Sequence, residues 1–240
     1  MYSNKYITIY TLVMTLIVSI VLAIVVTGLA PIHSANEAVF KKKEIFSAIQ
    51  DQIGSDLTKM SNKEILELFD QRIEQVVLDA NGKPVEGIKA EDIDLAKEEK
   101  KPESERHYPL FIYKGDKGNI YIVSVRGMGL WDKIWGTIAF EDDLNTVAGA
   151  SFGHVGETPG LGAEIKDNPT FRKQFEGKTI FKDGQYVSVG VIKGGAKDKE
   201  HEVDAISGAT LTSRGVSEMM QRGLKPYLPY FEELKKQGGN

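Results

Sequence analysis

The sequence predicts an α+β protein: one N-terminal helix able to cross a membrane, then a soluble domain built on an antiparallel sheet with flanking helices. Three observations carry this. Residues 6–36 hold no Asp, Glu, Lys or Arg, although 27% of the 240-residue chain is charged. In the second half, strand-like segments succeed one another through short Gly- and Asp-containing turns. Helical patterns stand at the ends of that run of strands, as in an α+β domain.

From 7 to 29 the chain reads ITIYTLVMTLIVSIVLAIVVTGL, with 14 Ile, Leu or Val residues. At roughly −0.3 to −0.6 kcal/mol each in mid-bilayer, these favour insertion by about 4–8 kcal/mol. The run exceeds the ~20 residues needed to span the hydrocarbon. It also exceeds the core of a cleaved signal peptide, about 7–15 residues. A retained single-pass anchor follows, despite a weak cleavage-like Gly28-Leu29-Ala30. Lys5 precedes the run, and Lys41, Lys42 and Lys43 follow it, a distribution leaning slightly towards a cytoplasmic C-terminal domain.

Residues 38–50 place Val39, Ile45, Phe46 and Ile49 on one side of a helix that continues the anchor as a stalk. Ser61 and Glu64 form a capping-box pattern opening a short helix through Leu68 and Phe69. Residues 73–79 alternate as a strand, and Asn81-Gly82 is a hairpin signal. Residues 91–106 hold 11 charges, which suits a solvated loop or exposed helix. Strands are expected at 110–113, 119–125, 133–141, 145–152 and 186–191, with turns at 114–118, 142–143 and 183–184. Asn168-Pro169 opens a short helix. A last helix follows Thr212, with Val216, Met219, Met220 and Leu224 on one face. The expected division is an anchor at 1–36, a stalk and first soluble part at 37–107, and a principal domain at 108–240.

Composition excludes several classes of chemistry. Cysteine is absent, which removes disulfides, thiolate-held iron–sulfur or zinc sites and a catalytic thiol. The four histidines are scattered without metal-ligand spacing, so no metal site is expected. Beyond residue 36 the chain carries 29 Lys and Arg against 34 Asp and Glu, so no basic footprint for nucleic acid exists.

Two segments carry candidate chemistry. Residues 149–162, GASFGHVGETPGLG, hold five glycines, which permit close approach of backbone to a ligand but equally suit a mobile surface loop. Residues 204–213, DAISGATLTS, lead into the last helix. A hydroxyl there could cap the helix, bind a phosphate at its electropositive end, or carry one covalently. The P-loop pattern is missing, as is the glycine fingerprint of dinucleotide binding.

Asp204-x-x-Ser207-Gly208-Ala209-Thr210-x-Thr212 resembles the flavinylation motif of FMN-binding domains, and GETPGLG at 156–162 resembles that domain's other hallmark. With Gly129-Leu130-Trp131, residues 175–178 and the anchor, the chain resembles the C-subunit family of Na⁺-translocating NADH:quinone reductases over the anchor and residues 108–225. Residues 50–107 carry no family signature.

The resemblance implies an FMN-binding domain with FMN esterified through its phosphate to Thr212 by a flavin transferase, Thr210 remaining unmodified. It implies that Asp204, Ser207, Gly208 and Ala209 form the segment the transferase reads, and that Thr158, Gly160, Leu161 and Gly162 form a loop over the flavin. Leu130 and Trp131 are candidate pocket walls, because an aromatic plane suits the isoalloxazine face. Lys193 is a weaker candidate partner for the phosphodiester, equally suited to a solvated turn. The implied function is electron relay within a sodium-pumping reductase, alongside other membrane subunits and the lipid bilayer. The implied location is the periplasmic face of a bacterial inner membrane. Two rivals are the equivalent subunit of a ferredoxin:NAD⁺ complex, and an anchored, non-redox binding module in which residues 207–213 merely cap a helix.

Overall fold

The computed structural model describes residues 3–54, 56–116 and 118–238. Two compact units are present, one ending at Lys41 and one beginning at Lys42.

The first unit is helical, within a helix α1 that runs Asn4–Ser47. It is long and apolar enough to cross a membrane. Three of its threonines bond back to the helix: the hydroxyls of Thr8, Thr11 and Thr15 donate to the carbonyls of Asn4, Ile7 and Thr11 at 2.8–2.9 Å. Such back-bonding removes polar groups that hydrocarbon would leave unpaired.

In the second unit the end of α1 is followed by α2 (Gln50–Ile53), α3 (Asn62–Arg72), β1 (Ile73–Leu78), α4 (Leu95–Glu98), β2 (Tyr108–Gly115), β3 (Gly118–Met128), β4 (Lys133–Phe140) and β5 (Val147–His154). Then come α5 (Glu164–Asp167), α6 (Pro169–Lys173), β6 (Phe181–Lys182), β7 (Gln185–Tyr186), β8 (Gly190–Ile192), β9 (Glu202–Asp204), α7 (Thr210–Gly223) and α8 (Leu228–Gly238). Strands β1 to β5 form one antiparallel meander in sequence order. The capping box at Ser61 is formed in both directions and opens α3.

Register explains why both faces of this sheet are buried. One row runs Val76, Leu110, Val123, Ile138, Ala150 across the five strands, and the next runs Gln75, Phe111, Ile122, Ala139, Gly149. The first row packs in a cluster with Val216, Met219, Tyr227 and Phe231 from α7 to α8. On the second, Phe69 stands edge-on to Phe111 at 6.0 Å and to Phe46 at 5.9 Å. That row tapers from Phe111 to Gly149, where any Cβ would overlap the Ala48 carbonyl oxygen. Trp135 Nε1 donates to Glu44 at 2.8 Å, and Gln52 donates to the Ala148 carbonyl at 2.9 Å, fixing this helical layer.

Helix α7 lies against β3 at unusually short range. A Cβ on Gly127 would stand 2.7 Å from that of Met219, and one on Gly223 would stand 2.8 Å from that of Val125. One on Gly215 would overlap the carbonyl oxygen of Met128. The helix therefore settles onto the sheet through backbone, and its first turn is carried to the ends of β3 and β5.

Four sequence expectations need correction. Asp79 to Pro84 do turn, with the Asp79 N–H donating to the Lys83 carbonyl at 2.9 Å and the Val85 N–H to the Val77 carbonyl at 2.8 Å, but the pairing amounts to the single Leu78–Pro84 bridge, and the full ladder of β1 is made with β2. The expected strand at 186–191 is split, since Ser188 adopts a left-handed φ of 63°. Residues 91–106 are not wholly solvated: Glu98 is buried, accepting from Lys101 at 2.8 Å and from the His107 N–H at 3.0 Å. Helix α7 begins at Thr210, before Thr212. The expected turn at 183–184 is present, with φ of 49° and 77° joining β6 to β7.

Substitutions at two of these contacts have definite outcomes. Gly215→Ala forces α7 off the Met128 carbonyl and lowers stability by about 1–3 kcal/mol, read as a reduced Tm. Tyr186 donates from Oη to the carbonyls of Met220 and Gln221, each at 3.1 Å, and burial pushes its phenol up to about 12. An unfolded tyrosine ionises near pH 10, so above that pH the unfolded chain loses a proton that the folded one keeps. Stability then falls as pH rises, by up to ~1.4 kcal/mol per unit. Tyr186→Phe loses about 1 kcal/mol at pH 8, and urea unfolding at pH 11 shows its deficit against the wild type shrinking; a constant deficit contradicts the assignment.

Candidate functional site

The site is built where three strands of the meander end together. Strand β3 stops at Met128, and Gly129 N–H donates to the Asp132 carbonyl at 2.8 Å to close the turn into β4. Strand β5 ends at His154, and Val155 N–H donates to the Lys133 carbonyl at 3.0 Å. The Met128 carbonyl against Gly215 then fixes the first turn of α7 beside both loops.

Thr212 is the third residue of α7 and only 1% exposed. Its hydroxyl donates to Glu157 Oε2 at 2.6 Å. The other carboxylate oxygen, Oε1, accepts the Trp131 N–H at 3.0 Å, and the Glu157 N–H donates to His154 Nδ1 at 3.2 Å. No salt bridge accompanies this carboxylate among the described residues. Two hydrogen bonds to its oxygens and the electropositive end of α7 offset the burial of its charge. Glycine is required around it: a Cβ at Gly129 or Gly162 would overlap a carboxylate oxygen, and one at Gly162 would also stand 2.7 Å from Thr212 Oγ1.

Outside this buried pair lies exposed apolar surface. Trp131 is 67% exposed, and Leu130, Leu161 and Leu211 are also exposed. Trp131 Nε1 donates to Thr158 Oγ1 at 3.2 Å, tying the indole to the 156–162 loop. That loop turns on itself through the Thr158 carbonyl, which accepts the N–H groups of Leu161 and Ala163 at 3.1 Å, with Gly160 at a φ of 74°.

The remaining candidate residues divide by location. Gly208 sits at a φ of 77°, and a Cβ there would meet Leu161 at 2.7 Å, so the 204–213 segment and the 156–162 loop touch. Ala209 is the buried residue preceding α7, while Ser207 and Thr210 are exposed. Asp204, at the end of β9, accepts the Ala196 N–H at 2.7 Å, on the side of the 193–196 turn. Lys193 is exposed in that turn, and no hydrogen bond or ion pair links it to Thr212 among the described residues. No group of three or more His, Asp or Glu placed to hold a metal is found among the described residues.

The helix-cap reading of Thr212 is corrected. Ala209 occupies the cap position and no side chain caps the helix, whereas Ser213 Oγ accepts the Ile206 N–H at 3.1 Å. Thr212 instead points at Glu157. Sequence reasoning misses Glu157; the one signal for it is an acidic residue opening an otherwise uncharged TPGLG segment.

The arrangement offers a hydroxyl bonded to a carboxylate at the positive end of a helix, beside an apolar and aromatic surface. The FMN-binding domain family matches residues 129–225, which contain the whole site. The chain is 36% identical over 238 residues to the C subunit of Na⁺-translocating NADH-quinone reductase from Neisseria meningitidis serogroup A, covering 89% of this chain and 87% of that protein. It is 34% identical to the Pseudomonas aeruginosa protein of the same name, covering 80% of each. The crystal structure of the C subunit from Parabacteroides distasonis superposes with a TM-score of 0.73 at 36% identity, covering 85% of this chain and 96% of that one. NqrC from Shewanella oneidensis gives the same TM-score at 27% identity, with 84% and 99% covered. The chain belongs to the C-subunit family of Na⁺-translocating NADH-quinone reductases.

Proposed function

We propose that this protein carries FMN as a phosphoester on Thr212 and relays electrons as a membrane-anchored subunit of a sodium-pumping NADH:quinone reductase. The observation that carries the reading is the place of Thr212 Oγ1: in the first turn of α7, bonded to Glu157 and beside Trp131-bearing apolar surface. The residues fit the cofactor. A phosphate on that hydroxyl meets first-turn N–H groups that no side chain caps, and an isoalloxazine ring finds Leu130, Trp131 and Leu161 exposed nearby.

FMN, when bound, supplies the electron chemistry; the protein supplies position and surroundings. Thr212 tethers it, so occupancy does not depend on free flavin. Leu130 and Trp131 flank the ring, and Thr158, Gly160, Leu161 and Gly162 cover it. Asp204, Ser207, Gly208, Ala209 and Thr210 present the segment to a flavin transferase, and Lys193 stands outside the immediate attachment site. Helix α1 anchors the chain in the inner membrane, with the domain on the periplasmic face beside the other subunits. The names of the relatives support the sodium pump over the ferredoxin-linked complex.

Thr212→Val in the native host tests the assignment. The variant is expected to lose flavin fluorescence that survives denaturation, to lose the added mass of FMN less one water, and to lose quinone reductase turnover. It also leaves Glu157 Oε2 without its donor, at about 1–3 kcal/mol of stability. Retained covalent flavin contradicts the assignment and moves the attachment to Thr210 or a serine.

A further inference from the structure

We propose that Glu157 is the general base for the modification of Thr212, so that the protein supplies part of the catalysis of its own flavin loading. This rests on the reading of Thr212 as the attachment site. An unassisted threonine hydroxyl is a weak nucleophile and must shed its proton as the new bond forms. Among the described residues, the carboxylate hydrogen-bonded to that hydroxyl is Glu157, at 2.6 Å. It lies within the reach a general base requires. Asp204, the acidic residue of the motif, is turned instead to the Ala196 N–H.

The balance of the step fixes the donor's class. Condensing FMN itself with a hydroxyl would have to expel water, so the donor is a pyrophosphate-linked flavin nucleotide. The Thr212 Oγ1–phosphorus bond forms, the phosphorus–oxygen bond of the anhydride breaks, and a nucleoside monophosphate leaves with the electron pair. The Oγ1 proton passes to Glu157 Oε2 and from there to solvent. No atom changes oxidation state.

Burial sets a condition on this chemistry. Thr212 is 1% exposed, and Gly162 is packed closely over its hydroxyl, so the covering segment must lift before a phosphorus atom can approach in line. Glu157 is held independently of that cover. Its backbone N–H is bonded to His154 at the end of β5, and Oε1 is bonded to the Trp131 N–H in the β3–β4 turn. Gly160, at a φ of 74°, lies between Glu157 and the part that covers Thr212. The base stays with the sheet while the cover moves.

Glu157→Gln removes the basicity and keeps the side-chain size that the glycines accommodate, while its single amide oxygen can accept from Thr212 Oγ1 or from the Trp131 N–H but not from both. The full chain in detergent is incubated with purified flavin transferase and flavin adenine dinucleotide, and covalent flavin is followed by fluorescence after denaturation. The expected result is a turnover for loading reduced roughly 10²–10⁴-fold with the transferase's KM for the chain unchanged. Loading of Glu157→Gln at the wild-type rate overturns the proposal while leaving Thr212 as the attachment site. Glu157→Asp, which withdraws the carboxylate by one methylene, gives the same reading if the amide variant fails to fold: reduced turnover supports the base, and an unchanged rate overturns it. A wild-type chain that accepts no flavin, or a Thr212→Val chain that accepts it, sinks both readings.

Discussion

The close approach of α7 to β3 is the constraint from which the site follows. Helices normally stand off a sheet by the thickness of their side chains. Here Gly127, Gly215 and Gly223 remove that layer and let the backbone of α7 settle against the end of β3. The first turn of the helix is thereby held beside the β3–β4 turn and the loop after β5. Each residue of the buried arrangement hangs from this: Thr212 from α7, Trp131 from the β3–β4 turn, and Glu157 from the loop pinned to His154.

A buried carboxylate is stable in this place for identifiable reasons. It receives two hydrogen bonds, from a hydroxyl and a backbone N–H, and faces the positive end of a helix. Those features also suit the anionic ester that a phosphate would make with Thr212.

Much of this is legible in the sequence, for physical reasons that differ by element. The charge-free run at 6–36 and the alternation of 119–125 and 133–141 leave few other structures available, and both form as read. The capping box at Ser61 and the turn at 183–184 are local chemistry, decided within four residues. The failures are non-local. Nothing in 73–85 announces that the turn at 79–84 closes only one bridge while β1 takes its ladder from β2, 30 to 40 positions on, and Ser188 breaks a strand whose pattern is unbroken. At the site, the motif makes Thr212 visible, but its pairing with Glu157 spans 55 positions and exists only because glycines bring two segments together. A lone acid among Gly, Thr and Pro reads as solvated until the fold buries it.

Thr212 as the point of attachment is the central claim, and tandem mass spectrometry of a tryptic digest from native membranes addresses it most directly. Cleavage after Lys199 and Arg214 yields the fragment 200–214, which contains Ser207, Thr210, Thr212 and Ser213. This fragment is predicted to carry FMN less one water, with its fragment ions placing the flavin on Thr212. The fragment found only without added mass, or with the flavin on Thr210 or a serine, contradicts the claim.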